Sequence, residues 1–426
     1  MPRKLSAIAV TTVMLIAVGC SSSKSDSQSS PPGRERQSPS ATEAVSLPQA
    51  YTAVVGEVID PPMAPFLGTD GKYHVAYDIV LSNAARVPAT LASLEVADAK
   101  NPSKVAVAYS GDELLKRVRG LFGYPDRVTN LTMPPSAGRI VYIDFATESA
   151  RDIPATVAHR LKFAGASGPA SRSPEPVEYL LTTHSLSAGP LRVIKPPLRG
   201  KNWVALNGCC LPETAHRVSD APIDGTITDA QRFAIDYKRF NDAGSFYEGD
   251  RTKNESYVDY GAEILAVADG TVVATLDTEE ANEPGILPAN DPNRASKITI
   301  DNVDGNHIII DIGGGAYAFY AHLIKGSLKV KVGDKVKAGD LIAQLGNTGN
   351  SNASHLHFHL MDGQSLGSSG IPYLMDSFEL AGQVPDAVFE AADDFLSGNF
   401  GSGRAAQPQP RKDELPVNLA IVNFPG

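Results

Sequence analysis

Cysteine is nearly absent. The 426 residues contain three, and two of them, Cys209 and Cys210, are adjacent. No conventional disulfide framework can be built from these, and a zinc site made of cysteines lacks its ligands. The adjacent pair reads as two buried or free thiols, with a vicinal disulfide as the less favoured alternative. An excess of basic residues is also missing. Lys and Arg total 38 against 48 Asp and Glu, a formal net charge of -10, so the chain has no general attraction for nucleic acid or anionic headgroups. No local basic patch offsets this. Long apolar runs are lacking too: residues 5–18 fall short of the ~20 residues that a membrane-spanning helix needs.

What is present is ordinary globular material. Hydrophobic residues make up 42% and charged residues 20%, and the length allows two or three domains, each with its own core. Arg3 and Lys4 precede the apolar run, and small residues stand just before Cys20, the pattern of an export signal over residues 1–20. Ala17-Val18-Gly19-Cys20 resembles a bacterial lipobox, although Ala17 stands where Leu is usual, which leaves ordinary signal cleavage as the alternative. Residues 21–48 are rich in Ser, Pro and charge, so they cannot offset their ordering entropy by burial and form a linker. A flexible tether after Cys20 suits a lipoprotein held in the cell envelope, outside the cytoplasm. Two or more acyl chains on Cys20 anchor stably, at ~0.8 kcal/mol per buried methylene.

The remainder reads as all-β. Residues 73–82, 89–98, 104–110, 138–147 and 176–186 carry β-branched and aromatic residues between turn formers. These short strands predict an antiparallel β-sandwich domain over 49–194, with one short helix at 112–119. His74, His159 and His184 are scattered through it without a shared motif, so this half is assigned no chemistry. The prolines and glycine of residues 194–201 mark the connection to a second β-rich domain, 200–378, followed by an extension, 379–426, with a possible short helix and a final strand.

The chemistry concentrates in that second domain. The stretch NTGNSNASHLHFHL, residues 347–360, puts histidines at every second position. On a strand His355, His357 and His359 share one face while Leu356, Phe358 and Leu360 share the other. His216 follows the Cys pair. Asp236 lies in FAIDY between apolar strand residues, either as a metal ligand or as a carboxylate paired with Arg232 or Lys238. His322 ends FYAHL. The near-repeat VKVGDKVKAGD suggests the barrel-sandwich shape of lipoyl and biotinyl carriers, but no lysine stands in the loop where a carrier would be modified.

His216, Asp236, DGTVVA, FYAHL, VKVGDKVKAGD, GNTGNS and HLHF together resemble the lysostaphin and LytM type of zinc metallopeptidase, the M23 family of cell-wall endopeptidases. The resemblance covers residues 205–375 and implies a β-rich, barrel-sandwich hybrid-like peptidase fold. Carried over, it makes His216, Asp236 and His357 the ligands of Zn2+, with a fourth position open for water as in catalytic zinc sites. His322 and His355 become the catalytic pair, and Tyr320, taken to share the face of His322, a further hydrogen-bond donor. Members commonly have three residues between the first histidine and the aspartate. Here nineteen intervene, and Asp220 has the short spacing; Asp236 is preferred because the family's aspartate sits between apolar strand residues. His359 replaces the acidic or amide residue many members have, and Asn207 resembles the asparagine that fills the fourth zinc position in latent relatives. The implied activity is hydrolysis of peptide bonds in peptidoglycan stems or cross-bridges. The alternative is a non-catalytic envelope lipoprotein that uses the same fold to bind peptidoglycan or activate another hydrolase.

Overall fold

The computed structural model describes residues 51–121, 127–164, 176–186, 189–212 and 214–426. The expected export signal, Cys20 and the linker at 21–48 lie outside the described residues. Among those described, no helix is long and apolar enough to cross a membrane.

The alternation in residues 73–83 produces a strand, Tyr73–Asn83, whose Val75, Tyr77, Ile79 and Leu81 all point into one core. It is central in an antiparallel sheet ordered Val54–Val58, Tyr73–Asn83, Gly138–Thr147, Val118–Gly120. A second antiparallel sheet is ordered Val177–Ser185, Thr156–Ala164, Ala89–Asp98, Asn101–Ser110. Leu91, Leu94, Leu161 and Phe163 from the second sheet join Tyr77, Ile79, Val141 and Ile143 from the first in a single apolar cluster. Each such fully buried aliphatic side chain contributes ~1.5–3 kcal/mol of transfer free energy. The helix expected at 112–119 is shorter, Gly111–Lys116, because Val118–Gly120 pairs with Gly138–Thr147 as a strand.

Strand Tyr73–Asn83 is buried on its other face as well. Asp78 there has no exposed surface, which a one-sided sandwich strand would not require. Its partners come from the second half of the chain and bear on the site below.

The second half is built on one eleven-stranded antiparallel sheet. Its centre runs Gly270–Leu276, His307–Asp311, Tyr317–Ala321, Leu356–Met361, Ile235–Arg239, Gly200–Leu206. The C-terminal extension continues the same sheet: Ala420–Phe424 pairs with Gly200–Leu206, then Phe378–Gln383 and Arg404–Arg411 follow. The final strand is therefore internal to this sheet. The fold is all-β as expected, and the sheet is open, with no closed barrel. Cys209 and Cys210 are joined as a disulfide, not left as the two thiols expected. Both are buried in the loop between Gly200–Leu206 and His216, where adjacency brings the sulfurs together, and no free thiol remains there.

Candidate metal centre

Leu356–Met361 lies between Tyr317–Ala321 and Ile235–Arg239, and register decides which side chains meet. His357 is directly opposite Asp236 on one neighbour and Ala321 on the other, while Phe358 is opposite Ile235 and Tyr320. Opposed residues share a face. His357, His359 and Asp236 therefore stand on one side of the sheet, and Leu356, Phe358 and Leu360 enter the core on the other.

His216 reaches the same side from a short helical turn, His216–Val218. Its Nε2 lies 3.4 Å from Asp236 Oδ2, and His357 Nδ1 lies 3.1 Å from Asp236 Oδ1. Ligand atoms of the three residues all fall within 4.8 Å of one another. Tetrahedral coordination at zinc bond lengths of ~2.0–2.1 Å separates ligand atoms by about 3.3 Å; the two histidines approach different oxygens of Asp236, and the set as a whole, two imidazoles and a carboxylate, is of a kind that holds a small divalent ion. Asp220, the alternative carboxylate, is elsewhere: its Oδ1 accepts the hydroxyl of Tyr142.

Hydrogen bonds to carbonyls, which can only accept, settle the tautomers. His216 Nδ1–H donates to Ala234 O at 3.0 Å, leaving the Nε2 lone pair toward Asp236. His355 Nδ1–H donates to Ala353 O at 2.8 Å, and its Nε2 lies 3.3 Å from Asp236 Oδ1. His322 Nδ1–H donates to Thr348 O at 2.8 Å, and its ring centroid is 4.6 Å from that of His355. Both rings thus keep Nε2 for a proton or a reacting group.

The glycine-rich turn explains how His322 is placed. Its backbone N donates to Asp304 O, and its φ of 65° takes it out of the strand that ends at Ala321. Thr348 and Gly349 pack against Gly305 so closely that a Cβ on Gly349 would lie 2.1 Å from Gly305 N. Only glycine allows that approach. On the other flank, Ser354 donates to Asp259 and receives Lys238 Nζ at its carbonyl, which fixes the residue before His355. All three side chains are buried.

Burial opposes charge on Asp236, but the His216 and His355 rings outweigh it and hold the carboxyl well below its usual range. Burial likewise opposes protonation of His216, yet the Asp236 carboxylate raises it overall. For His322, burial and then the neighbouring His355 and His357 push the ring well below the ordinary histidine value. The site therefore holds one firmly ionised carboxylate among imidazoles, of which His322 is held neutral.

Tyr320 is not brought to this face. The expectation assumed that alternation continues from Tyr320 to His322, but His322 has left the strand. Tyr320 sits opposite Phe358, fully buried on the core side, and its hydroxyl accepts a hydrogen bond from Val267 N at 2.9 Å. Arg232 and Lys238 do not pair with Asp236 either. Lys238 serves Asp259 and Ser354, and Arg232 belongs to a buried ionic cluster with Asp60, Asp78 and Asp229.

That cluster was not foreseen. Arg217, next to His216, pairs with Asp78 at 2.6 Å and Asp229 at 3.3 Å, and donates to Tyr77 O and Ile143 O. All five charged residues are buried. Asp60 and Asp78 come from the first half of the chain, so the loop bearing His216 is fastened to the sandwich by ion pairs. The available signal in the sequence was Arg232, four residues before Asp236. His359 and Asn207 also find partners: His359 Nδ1 is 3.1 Å from His357 Nε2, and Asn207 Nδ2 donates to Asp236 Oδ2 at 2.8 Å. His307 turns Nδ1 to Gly305 O.

Residues 256–367 match the model of Peptidase family M23. The matched segment contains His322, His355 and His357 but not His216 or Asp236. Among curated relatives, the chain is 48% identical over 58 residues to the glycyl-glycine endopeptidase ALE-1 of Staphylococcus capitis, 13% of this chain and 16% of that protein. It is 50% identical over 58 residues to lysostaphin of Staphylococcus simulans, 13% of this chain and 11% of that one. The match thus spans under a fifth of either relative's length. Among solved structures, the catalytic domain of Staphylococcus simulans lysostaphin is similar at 25% identity over 35% of this chain and 80% of that domain, with a TM-score of 0.20.

Proposed function

We propose that this chain is a zinc-dependent endopeptidase that hydrolyses peptide bonds in peptidoglycan stems or cross-bridges, exported and held at a bacterial membrane through lipidated Cys20. The observation that carries this reading is the convergence of His216, Asp236 and His357, with His322 and His355 beside them. The M23 match and the likeness to a glycyl-glycine endopeptidase support the reaction class.

His216 Nε2, the Asp236 carboxylate and His357 Nδ1 would hold the ion. Zinc supplies Lewis acidity and a water more acidic than bulk. The proton chemistry then falls to the two remaining histidines. With Nδ1–H committed to a carbonyl, His355 presents Nε2 as a base and takes the proton released as water attacks the scissile carbonyl. His322 has the same arrangement one ring away. Whichever ring carries the proton becomes a donor at Nε2, able to stabilise the oxyanion or protonate the leaving amine. The low proton affinity of buried His322 favours passing the proton on.

The test pairs metal analysis with digestion. Wild type and His355→Ala should each bind one zinc, and only wild type should release new amino termini from peptidoglycan. Bound zinc without new termini from any peptidoglycan tested would favour the non-catalytic binding reading. For the anchor, Cys20→Ala should move the protein from the membrane fraction to the soluble one; retention at the membrane would overturn that part.

A further inference from the structure

A cleft of about 460 Å³ opens beside the histidine cluster and is walled by both halves of the chain. Val218 and Ser219, which follow His216, line it, and so does Asp304, whose carbonyl receives the backbone N–H of His322. Asp304 is close enough to His357 and His216 to interact with both electrostatically. The cleft therefore adjoins the segments that carry the proposed reaction centre, although none of the five site residues lines it. Its size is that of pockets that bury a small ligand or a side chain with adjoining backbone.

The lining is largely apolar, with two carboxylates and one guanidinium. Ile223, Ile300, Val303 and Leu366 supply aliphatic walls, and Ile300 is well exposed at 46%. Arg119 is the one cationic side chain among the described lining residues, and its guanidinium is spent on the carbonyls of Lys116, Val118 and Pro212. Two carboxylates remain. Asp220 is held by the Tyr142 hydroxyl at Oδ1. Asp304 is only 6% exposed, and no hydrogen bond or ion pair to its carboxylate is found among the described residues. Asp304 is thus nine-tenths buried as a residue while its carboxylate oxygens are not sealed from solvent, which leaves them open to a donor arriving through the cleft.

We propose that this cleft is a specificity subsite for a peptide side chain with an aliphatic stem and a terminal primary ammonium, received by Asp304 and Asp220. The stem matches the aliphatic walls, and the ammonium supplies donors to Asp304 and a further one to Asp220 beside the Tyr142 hydroxyl. The first half of the chain contributes through Tyr142, which aims Asp220. The inference rests on the endopeptidase reading only for what happens after the side chain is bound.

Binding tests it without catalysis. The His355→Ala chain would be titrated with fluorescently labelled Gly-Gly-Lys-Gly-Gly and with the same peptide acetylated at the lysine amine. The acetylated peptide should bind at least about tenfold more weakly. In the His355→Ala background, adding Asp220→Asn and Asp304→Asn should bring the two affinities together. Equal affinities in the parent, or an undiminished ratio in the Asn variant, would overturn the proposal; the parent comparison needs no substitution in the cleft. Wild type cleaving both peptides equally well would remove the subsite and leave the enzyme. The tenfold ratio without cleavage of either peptide or of peptidoglycan would leave the subsite and remove the enzyme.

Discussion

His359 Nδ1 stands 3.1 Å from Nε2 of His357, and this contact gives the third histidine of HLHFHL a task. A ligand histidine that coordinates through Nδ1 must carry its proton on Nε2, and His359 is placed to accept it. Burial, then the neighbouring His357, holds His359 well below the ordinary histidine value, so it stays neutral and able to accept. His359→Phe should weaken zinc binding by ~10–100-fold, while His359→Gln keeps an acceptor and should lose less. Competition with a chromophoric chelator measures both, and equal affinity in wild type and His359→Phe would refute the role.

The two candidate carboxylates separate cleanly by metal content. Asp236→Asn should abolish stoichiometric zinc, because Asp236 is the shared neighbour of His216, His355 and His357. Asp220→Asn should retain it, since Asp220 is occupied by Tyr142. Elemental analysis after dialysis decides, and loss of zinc in the Asp220 variant would reverse the assignment.

His322→Ala and His355→Ala should each lower turnover by ~10²–10⁴-fold with zinc still bound. Tyr320→Phe should leave the metal and the turnover nearly unchanged, because its hydroxyl accepts from Val267 N on the core side, away from the histidines; its effect should appear as a loss of about 1 kcal/mol in denaturant unfolding. A Tyr320→Phe variant that is stable but inactive would bring Tyr320 back to the reaction.

Fastening His216 through Arg217 has an energetic signature. Arg217→Met leaves Asp78 and Asp229 short of a cation in a fully buried place, at a cost of about 3–5 kcal/mol. Zinc affinity should fall with it, because His216 is the adjacent residue. Unfolding and zinc titration on the same variant test this, and a destabilised chain with unaltered zinc affinity would show that the ion pairs do not position the ligand.

His184 makes stability depend on pH. Burial, then the charge of Arg232, lowers its pKa from 6.5 to about 4. The folded value lies below the unfolded one, so protons bind preferentially to the unfolded chain. Its contribution is fully present above pH 6.5 and is lost as pH falls toward about 4. Metal-free wild type should lose more stability across that window than metal-free His184→Phe, measured by urea midpoints; parallel curves would exclude His184 as a source.

Local periodicity determined a good deal here. Alternation placed His355, His357 and His359 on one face and Leu356, Phe358 and Leu360 in the core, because period two is a property of any extended backbone. The apolar setting of FAIDY marked Asp236, and the turn-rich rhythm marked an all-β chain. The same local rule failed at Tyr320, since it cannot register that His322 has left the strand with a φ of 65°. Everything that depended on distant pairing came from the tertiary structure: the register that sets Asp236 opposite His357, the arrival of His216 across nineteen intervening residues, and the aspartates of the sandwich that hold its neighbour Arg217. Strand register and buried ion pairs join residues far apart in sequence, and spacing along the chain carries no measure of either. The triplet HLHFHL was therefore legible as one face of a strand, and only the fold separated its members into His355 by the carboxylate, His357 against it, and His359 behind.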